Sequence, residues 1–488
     1  MNNLTGTTAA LADWAASTRF EDVPDDVIHM AKRLVLDVLA NTVGGSSTTA
    51  SALGLKTLRA LGGTAQSTVL VHGFRVAAPS AAFANVLMAS ELEADDTPLQ
   101  LGHHGHTAVL PALAVAEQQA EQRVTGKAPV SGRDYLLAVA LGYEFGIRVA
   151  LAARHARVEP DDSVTRSTSG NGVNFVVFPA VVGAARMLRQ DTTTMRSALG
   201  IAGVTATIPT GGRWRRPPFS NMKYNPYAFM AQSATLAALL ADQGFTGDPA
   251  IFDADGEADW WRMSGALESH PEDSVKDLGG TWWMRETSLK PWPSCRYTHG
   301  PINLFGAICR QAALRPDDLE QVDVWSHSGV TRFHMESPRV ETEEDCAFSI
   351  PYVLALTALD VPPGPRWLSP EYRSGNAVVE SIKAKVSTHV DPQMDKSFAD
   401  ELRGGPRRKS PHSVRVRTKD GRTFERRADL VPGDPQSAET YLDDQALSAK
   451  FRRFAGQALS PAAMEACVET VMSLDEVPDI RSLVSHLA

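Results

Sequence analysis

Apolar residues recur at helical spacing through the first half of the chain. Between Pro24 and Gly45 they stand three or four positions apart, for example at Val27, Leu34 and Val38, which is typical of a helix with one buried face. The same spacing predicts helices over 81–91, 107–119, 132–153, 174–188 and 228–242. The last of these is apolar nearly all round, which predicts a central position.

Beyond residue 265 the pattern changes to alternating apolar and polar positions. Residues 322–327 and 382–387 alternate like strands, and 414–417 and 422–425 flank Asp420-Gly421, a hairpin turn. Helical spacing returns at 301–313, 348–359, 446–454 and 462–474. The predicted fold class is mainly α. It has a large all-helical domain (1–265, to which 435–488 return) and an inserted smaller α+β lid domain (266–434).

The composition excludes several classes of protein. The net charge is −9, whereas a nucleic-acid-binding surface needs an excess of basic residues. No apolar run reaches the length of a membrane span, and the N-terminus lacks the segments of a signal peptide. The four cysteines form no CxxC pair, which favours reduced thiols. We therefore expect a cytoplasmic protein that binds neither nucleic acid nor membranes.

The candidate chemistry is concentrated in one short segment. Within fourteen residues it carries carboxylates, a hydroxyl and imidazoles, at Glu93, Asp95, Asp96, Thr97, His103, His104 and His106. Three interpretations are open: a metal site, a solvated loop, and a metal-free site for acid–base chemistry and substrate binding. The histidine spacing matches no standard set of metal ligands, and three neighbouring imidazoles are unusual for a solvated loop. The third interpretation is favoured.

A basic loop precedes the predicted helix at 228–242. It runs from Arg213 to Lys223 and is stiffened by two prolines, and arginine binds carboxylates with two parallel hydrogen bonds. Arg215 and Arg216 fit an ordinary surface loop equally well. An unpaired charge at the entrance to an apolar helix is costly, so a functional role is favoured for Lys223.

A further segment runs from Lys290 to His299. Its prolines fix the loop, and His299 stands near the start of a predicted helix, where a bound anion is favourable. Cys295 is better explained as a small buried residue than as a nucleophile. Further on, Tyr352 opens an apolar helix, and its hydroxyl either packs inside that helix or reaches a cleft.

Taken together and in this order, five segments resemble the MmgE/PrpD family, which includes 2-methylcitrate dehydratases and cis-aconitate decarboxylases. The resemblance covers nearly the whole chain. The matching segments are 37–45 (DVLANTVGG), 94–97 (ADDT) with His104 and 109–112 (VLPA), Lys223 with 243–247 (QGFTG), Lys290 with 293–296 (PSCR) and His299, and 348–352 (FSIPY).

The resemblance implies a helical domain and an α+β lid with a cleft between them, a homodimer, and no metal or organic cofactor. It also implies a lyase that moves a proton at a carbon beside a carboxylate of a small carboxylic acid. His104 is predicted to transfer the proton, oriented by Asp95 or Glu93. The other predicted catalytic residues are Lys223, His299 and Tyr352, and the other predicted substrate contacts are Thr97, His103, His106, Arg213 and Arg296.

Two positions depart from the family pattern. Glu93 stands where relatives carry an aspartate, and the segment 169–172 (SGNG) lacks an imidazole that the family's decarboxylases use. The second departure makes dehydration the preferred reaction, ahead of plain decarboxylation. An isomerase or epimerase of the same fold and a non-catalytic homologue are the alternatives.

Overall fold

The computed structural model describes residues 6–99, 101–122, 129–161, 163–167, 173–206, 217–223, 226–254, 259–404 and 408–488. Helices make up most of these residues, so the predicted mainly α class is confirmed. The described α-helices are α1 (Thr7–Ser17), α2 (Asp25–Gly45), α3 (Thr49–Leu61), α4 (Ala78–Ser90), α5 (Gly105–Gln122), α6 (Gly132–Leu151), α7 (Val177–Met187), α8 (Thr192–Thr205), α9 (Pro226–Asp242), α10 (Trp260–Met263), α11 (Pro271–Val275), α12 (Arg296–Ala312), α13 (Gly329–Arg332), α14 (Glu343–Cys346), α15 (Ile350–Ala358), α16 (Pro370–Arg373), α17 (Ala377–Lys383), α18 (Pro392–Gly404), α19 (Asp444–Ala455), α20 (Pro461–Met472) and α21 (Arg481–Ser485).

Strands are short except in one sheet. The described strands are β1 (Ser67–Thr68), β2 (Arg75–Val76), β3 (Thr97–Pro98), β4 (Ala153–Arg154), β5 (Ala156–Val158), β6 (Val164–Arg166), β7 (Glu268–Ser269), β8 (Thr287–Ser288), β9 (Leu319–Ser326), β10 (Val386–Val390), β11 (His412–Thr418) and β12 (Thr423–Ala428). Within the described ranges, the larger sheet has the order β10-β9-β11-β12, and the other strands pair in twos.

The helices of the first half pack closely on one another. Helix α7 lies against α5 and α6, and α9 lies against α4, α7 and α8. A Cβ atom on Gly142 of α6 would lie 2.7 Å from the carbonyl oxygen of Pro179 in α7, so glycine is what allows these two helices to approach. The prediction of a central α9 is wrong for one face, because Phe229 and Leu236 are 46% and 48% exposed.

The larger sheet lies in the second half of the chain. Strand β10 is parallel to β9, while β11 is antiparallel to both β9 and β12, and helix α12 packs on β11 and β12. The predicted hairpin at 414–425 is confirmed, with Gly421 at φ +86° in its turn. The predicted strand at 382–387 is wrong in its first half. Buried Val379 and Ile382 stand three residues apart in α17, and the strand starts only at Val386.

The C-terminal helices return to the helices of the first half. Both α19 and α20 pack against α2, and Leu447, Phe451 and Phe454 of α19 are buried there. The division into a helical domain and an inserted lid stays a prediction. Among the described residues, every helix is too short or too polar to cross a lipid bilayer.

Candidate active site

The acidic segment 93–97 follows helix α4 and is held by a neighbouring strand. Thr97 pairs with Ser288 of β8, and this pairing brings Lys290 alongside the segment. Glu93 has a φ of +49°, a left-handed conformation that costs about 1 kcal/mol for a residue with a side chain. In this conformation the carboxylates of Glu93 and Asp95 both reach Lys290.

Lys290 forms the buried centre of the cluster. Its Nζ atom lies 3.1 Å from Oδ1 of Asp95, 3.3 Å from Oε1 of Glu93 and 2.9 Å from the Glu93 carbonyl oxygen. Burial alone would lower the pKa of Lys290, but the carboxylates of Asp95 and Glu93 raise it above its ordinary value. Lys290 is therefore a permanent cation that binds both acidic side chains.

The same charges keep the two carboxylates ionised. Burial opposes ionisation, yet Lys290, Lys223 and His103 lower the pKa of Glu93. His103 and Lys290 hold the pKa of Asp95 well below its usual range. A carboxylate with a lowered pKa is a weak base, so Glu93 and Asp95 are suited to orienting and stabilising other groups.

His103 is the imidazole that contacts both carboxylates. Its Nδ1 atom lies 2.7 Å from the carbonyl oxygen of Asp96 and 3.5 Å from Oδ1 of Asp95, and its Nε2 atom lies 3.8 Å from Oε1 of Glu93. A carbonyl can only accept, so Nδ1 carries a proton in either charge state of the ring, and Nε2 is the nitrogen that can gain or lose one. The side chain is 14% exposed, against 5% for each carboxylate.

His104 lies in a different environment from the one predicted. The Asp96 carboxylate accepts hydrogen bonds from the backbone amides of His104 (3.1 Å) and Gly105 (2.8 Å) and from the Tyr143 hydroxyl (2.7 Å), which anchors the start of α5. This anchor turns the His104 ring towards Tyr143 and the backbone of Gly146. Burial holds the pKa of His104 at about 3, although a hydrogen bond with the backbone of Leu101 opposes this shift. The predicted orientation by Asp95 or Glu93 is not found.

Thr97 ends the acidic segment, and His106 lies beside it. The Nδ1 atom of His106 is 3.3 Å from Oδ2 of Asp95. The centre of its ring lies 4.6 Å from the centre of the Tyr227 ring, and the two rings pack edge to face. The Thr97 hydroxyl is buried and has no hydrogen-bond partner within the described ranges. His106 therefore belongs to the cluster around Asp95 and Lys290.

Lys223 approaches the cluster from the opposite side. It ends the short 3₁₀ helix Asn221–Lys223, and its Nζ atom lies 3.7 Å from Oε2 of Glu93 and 4.6 Å from the centre of the Phe348 ring. Glu93 is thus placed between two ammonium groups, those of Lys223 and Lys290. The cost of burying the Lys223 charge is offset by this ion pair and by the cation–π contact.

The structure does not bring Arg296 to the cluster. Its guanidinium pairs with Asp434 and donates to the carbonyl oxygens of Val431 (3.4 Å) and Pro432 (2.7 Å). The N–H groups of the guanidinium that a substrate carboxylate would need are therefore already bound to these three residues. The predicted role of Arg296 in substrate binding has no support from these contacts and stays a prediction.

His299 and Tyr352 are also occupied elsewhere. His299 is fully buried, with Nδ1 3.3 Å from the Arg296 guanidinium and Nε2 3.1 Å from the Ser294 carbonyl oxygen. Burial and the Arg296 charge hold the pKa of His299 well below its ordinary value. The Tyr352 hydroxyl donates to the Trp367 carbonyl oxygen at 2.6 Å, so of the two readings open for Tyr352 the structure favours packing inside.

Two sequence predictions lie outside the described residues. They are the substrate contact of Arg213 and the segment 169–172 that lacks the family imidazole. Both stay predictions.

Sequence reasoning missed a second buried ion pair behind the acidic segment. The Nζ atom of Lys450, in α19, lies 2.6 Å from Oδ1 of Asp37, in α2, and 2.5 Å from the Ala94 carbonyl oxygen. A signal was available, because Lys450 has the helical spacing of the apolar residues Leu447 and Phe454. Asp37 likewise interrupts the apolar run of α2.

The cluster contains donor sets that would suit a metal ion. Ligand atoms of Glu93, Asp95 and His103 lie within 4.8 Å of one another, and so do those of Asp95, Asp96 and His106. In the first set, however, the ammonium of Lys290 already lies between the two carboxylates. In the second set, Asp96 already accepts three hydrogen bonds. The residues present therefore fit a lysine cation better than a bound metal.

The arrangement is suited to proton transfer close to a negatively charged substrate. It combines one partly accessible imidazole with fixed carboxylates and two ammonium groups in a poorly hydrated place, where electrostatic interactions are strong. Cys295, also near Lys290, is not an activated nucleophile, because burial and the Glu93 charge raise its pKa to about 11.

Comparison with known proteins gives matches along almost the whole chain. Residues 9–263 match the MmgE/PrpD N-terminal domain and residues 292–475 match the MmgE/PrpD C-terminal domain. A cis-aconitate decarboxylase-like protein of Aspergillus oryzae is 24% identical over 499 residues, covering 99% of this chain and 97% of the relative. The cis-aconitate decarboxylase of Aspergillus terreus is 23% identical, covering 100% and 96% of the two chains. That of Homo sapiens is 24% identical, covering 95% and 90%.

Proposed function

The chain belongs to the MmgE/PrpD family, and from that premise we propose that it is a lyase acting on a small acid with more than one carboxylate. The reaction transfers a proton at a carbon beside a carboxylate and uses neither a metal nor an organic cofactor. The observation that carries the proposal is the position of His103, in contact with Glu93 and Asp95, the two carboxylates that Lys223 and Lys290 bind.

In this proposal His103 carries the proton. Its Nε2 lone pair accepts a proton from the substrate carbon or, once protonated, returns one. The hydrogen bond from Nδ1 to the Asp96 carbonyl keeps the ring in this tautomer. Glu93 and Asp95 stabilise the imidazolium that forms. This assignment replaces His104, whose buried ring packs against Tyr143.

Lys223 serves as the cation for the developing charge. Removing a proton beside a carboxylate moves negative charge onto the carboxylate oxygens, and a fixed ammonium lowers the energy of that state. Lys290 already binds two carboxylates, so its role is to hold them. The Thr97 hydroxyl, which has no hydrogen-bond partner in the described segments, supplies a polar contact beside the substrate.

Two lyase reactions are compatible with these roles. Dehydration is the first candidate, because it needs both a base and an acid, and an imidazole beside ammonium groups supplies both. Decarboxylation is the second candidate, favoured by the names of the relatives, which are cis-aconitate decarboxylases and a cis-aconitate decarboxylase-like protein. Both reactions share the proton-transfer step.

Product analysis tests the proposal and separates the two reactions. The purified protein is incubated with a panel of hydroxylated and unsaturated di- and tricarboxylic acids, and products are followed by NMR together with trapping of carbon dioxide. Dehydration gives a new alkene without carbon dioxide, whereas decarboxylation gives both a new carbon-bound hydrogen and carbon dioxide. Deuterium exchange from solvent with neither product would favour an epimerase. Turnover unaffected by His103→Ala and Lys223→Met would overturn the site assignment.

We also propose that the protein is a homodimer. Phe229 and Leu236 lie on the exposed face of α9. The Phe229 ring packs edge to face on that of Phe83 in α4, with 5.1 Å between the ring centres. A second copy covering this apolar face would bury it. Analytical ultracentrifugation is expected to show a dimer that Leu236→Glu weakens, and a monomeric wild-type protein would contradict the proposal.

A further inference from the structure

The carbonyl group of Ala94 points away from the substrate cluster, into the helices behind it. It accepts hydrogen bonds from Nζ of Lys450 at 2.5 Å and from Nδ2 of Asn41 at 3.2 Å. Oδ1 of Asp37 lies 2.6 Å from the Lys450 ammonium, and Oδ2 lies 3.3 Å from the Asn41 amide. All four residues are buried, so these bonds form away from bulk solvent.

Ala94 separates the two carboxylates of the candidate site. The Glu93 carbonyl and both carboxylates face Lys290, while the next carbonyl faces Lys450. The segment is thus held between two buried ammonium groups, one on each side. Because Glu93 has the unfavourable φ of +49°, the segment needs such bonds to keep this conformation.

The network is poorly explained by stability alone. A buried ion pair pays a large desolvation cost, and apolar residues of the same size often stabilise a protein equally well. The Lys450 ammonium, however, supplies something that an apolar residue does not supply, namely a short hydrogen bond to the backbone between Glu93 and Asp95. Its side chain also comes from α19, near the end of the chain, which links the docking of this helix to the site.

We propose that Lys450 is a positioning residue for the reaction, which holds the Ala94 carbonyl and thereby fixes the Glu93 and Asp95 carboxylates against Lys290. This inference rests on the proposed lyase function. The polar contacts of Lys450 are with Asp37 and the Ala94 carbonyl oxygen. It acts through the backbone of the acidic segment, and Asp37 and Asn41 hold its ammonium and the Ala94 carbonyl in place.

The test separates positioning from stability by removing both charges together. Lys450→Met leaves Asp37 buried without its cation, so both thermal stability and turnover are expected to fall. The double variant Asp37→Asn/Lys450→Met has no buried charge at this place, so its melting temperature is expected to return most of the way to that of the wild type. Its kcat is expected to stay about 10- to 100-fold low, because displacements near 1 Å at a reacting centre have effects of this size, while KM changes less.

Lys383→Met is the matched control, since Lys383 is also buried and paired, with Glu380 at 2.6 Å, but lies in α17. It is expected to leave kcat within about two-fold. Lys450→Arg keeps the charge and the hydrogen-bond donor, so it is expected to retain part of the turnover that Lys450→Met loses. It replaces Lys450→Met in the test if that variant does not fold.

A crystal structure of the double variant gives a readout that does not depend on turnover. The carboxylate of Glu93 is expected to move away from Nζ of Lys290, beyond the present 3.3 Å. A double variant with wild-type kcat and an unmoved Glu93 would overturn the inference. If the wild-type protein turns over none of the acids, the proposed function fails, and the crystal structure still decides whether Lys450 positions the segment.

Discussion

The Nζ atom of Lys290 lies 3.1 Å from Oδ1 of Asp95, and neither side chain is open to solvent. This contact holds an acidic segment of the first half of the chain against a loop that lies almost 200 residues later. Lys290 is the ammonium that both carboxylates share, so removing it leaves the like charges of Glu93 and Asp95 facing each other.

Lys290→Met is therefore expected to destabilise the protein by about 3–5 kcal/mol, the usual cost of breaking a buried ion pair from one side. Chemical denaturation measures this loss. Adding Asp95→Asn removes one of the stranded charges and is expected to restore part of the stability. A Lys290→Met variant that unfolds at the same denaturant concentration as the wild type would show that the two carboxylates are not ionised together.

The neighbouring histidines are expected to respond differently to substitution. His103→Ala removes the imidazole between Glu93 and Asp95 and is expected to lower kcat by about 100-fold or more, the usual contribution of a general acid or base. His104→Leu, which keeps a side chain of similar volume against Tyr143, is expected to keep kcat within about ten-fold. Steady-state kinetics with one substrate decide between them, and the reverse ranking would restore His104 as the proton carrier.

The buried His104 is also expected to make stability depend on pH. Its pKa is lowered from 6.5 to about 3, chiefly by burial and then by the nearby His103, so the unfolded chain binds a proton at pH values where the folded protein does not. The stability present above pH 6.5 is therefore lost as the pH falls towards 3, by on the order of 3–5 kcal/mol in total. Denaturation between pH 4 and pH 7 is expected to show a shallower loss for His104→Leu than for the wild type. Equal slopes would mean that His104 is protonated in the folded state.

The helices could be predicted from the sequence because the spacing of apolar residues indicates directly which residues are buried. The ranges of α2, α5 and α6 agree closely with their predictions. The strand at 382–387 was harder to predict, because the last turn of α17 runs straight into β10 and the joined pattern imitates alternation. The exposed face of α9 could not be predicted for another reason. An apolar helix has the same sequence pattern whether its own chain or another molecule covers it.

The acidic segment could be found from sequence, but the direction of each side chain could not. His103, His104 and His106 are chemically identical, and their roles are separated only by the backbone hydrogen bonds that Asp96 accepts at the start of α5. Contacts between distant parts of the chain, such as Lys450 with Asp37, likewise depend on the tertiary packing of α19 on α2.

The side-chain length of Glu93 offers a further test. Its carboxylate spans the space between Lys223, at 3.7 Å, and Lys290, at 3.3 Å. Glu93→Asp keeps the charge and tolerates the left-handed backbone, but it shortens the side chain by one methylene and withdraws it from Lys223. We expect kcat to fall by about ten-fold, with a loss of stability smaller than that of Lys290→Met, because the carboxylate stays ionised and keeps Lys290 as a partner. Turnover equal to that of the wild type would show that the Glu93–Lys223 contact does not contribute to the reaction.

Substitution of Tyr352 distinguishes a packing role of its hydroxyl from a catalytic role. Its hydroxyl is fully buried and donates to the Trp367 carbonyl oxygen at 2.6 Å, so Tyr352→Phe removes one buried hydrogen bond without opening a cavity. The expected loss of stability is about 1–2 kcal/mol, with kcat and KM within about three-fold of the wild type. Thermal denaturation and steady-state kinetics on the same preparation check both values. If Tyr352→Phe instead abolished turnover at unchanged stability, its hydroxyl would have to leave the Trp367 carbonyl oxygen and reach the substrate during the reaction.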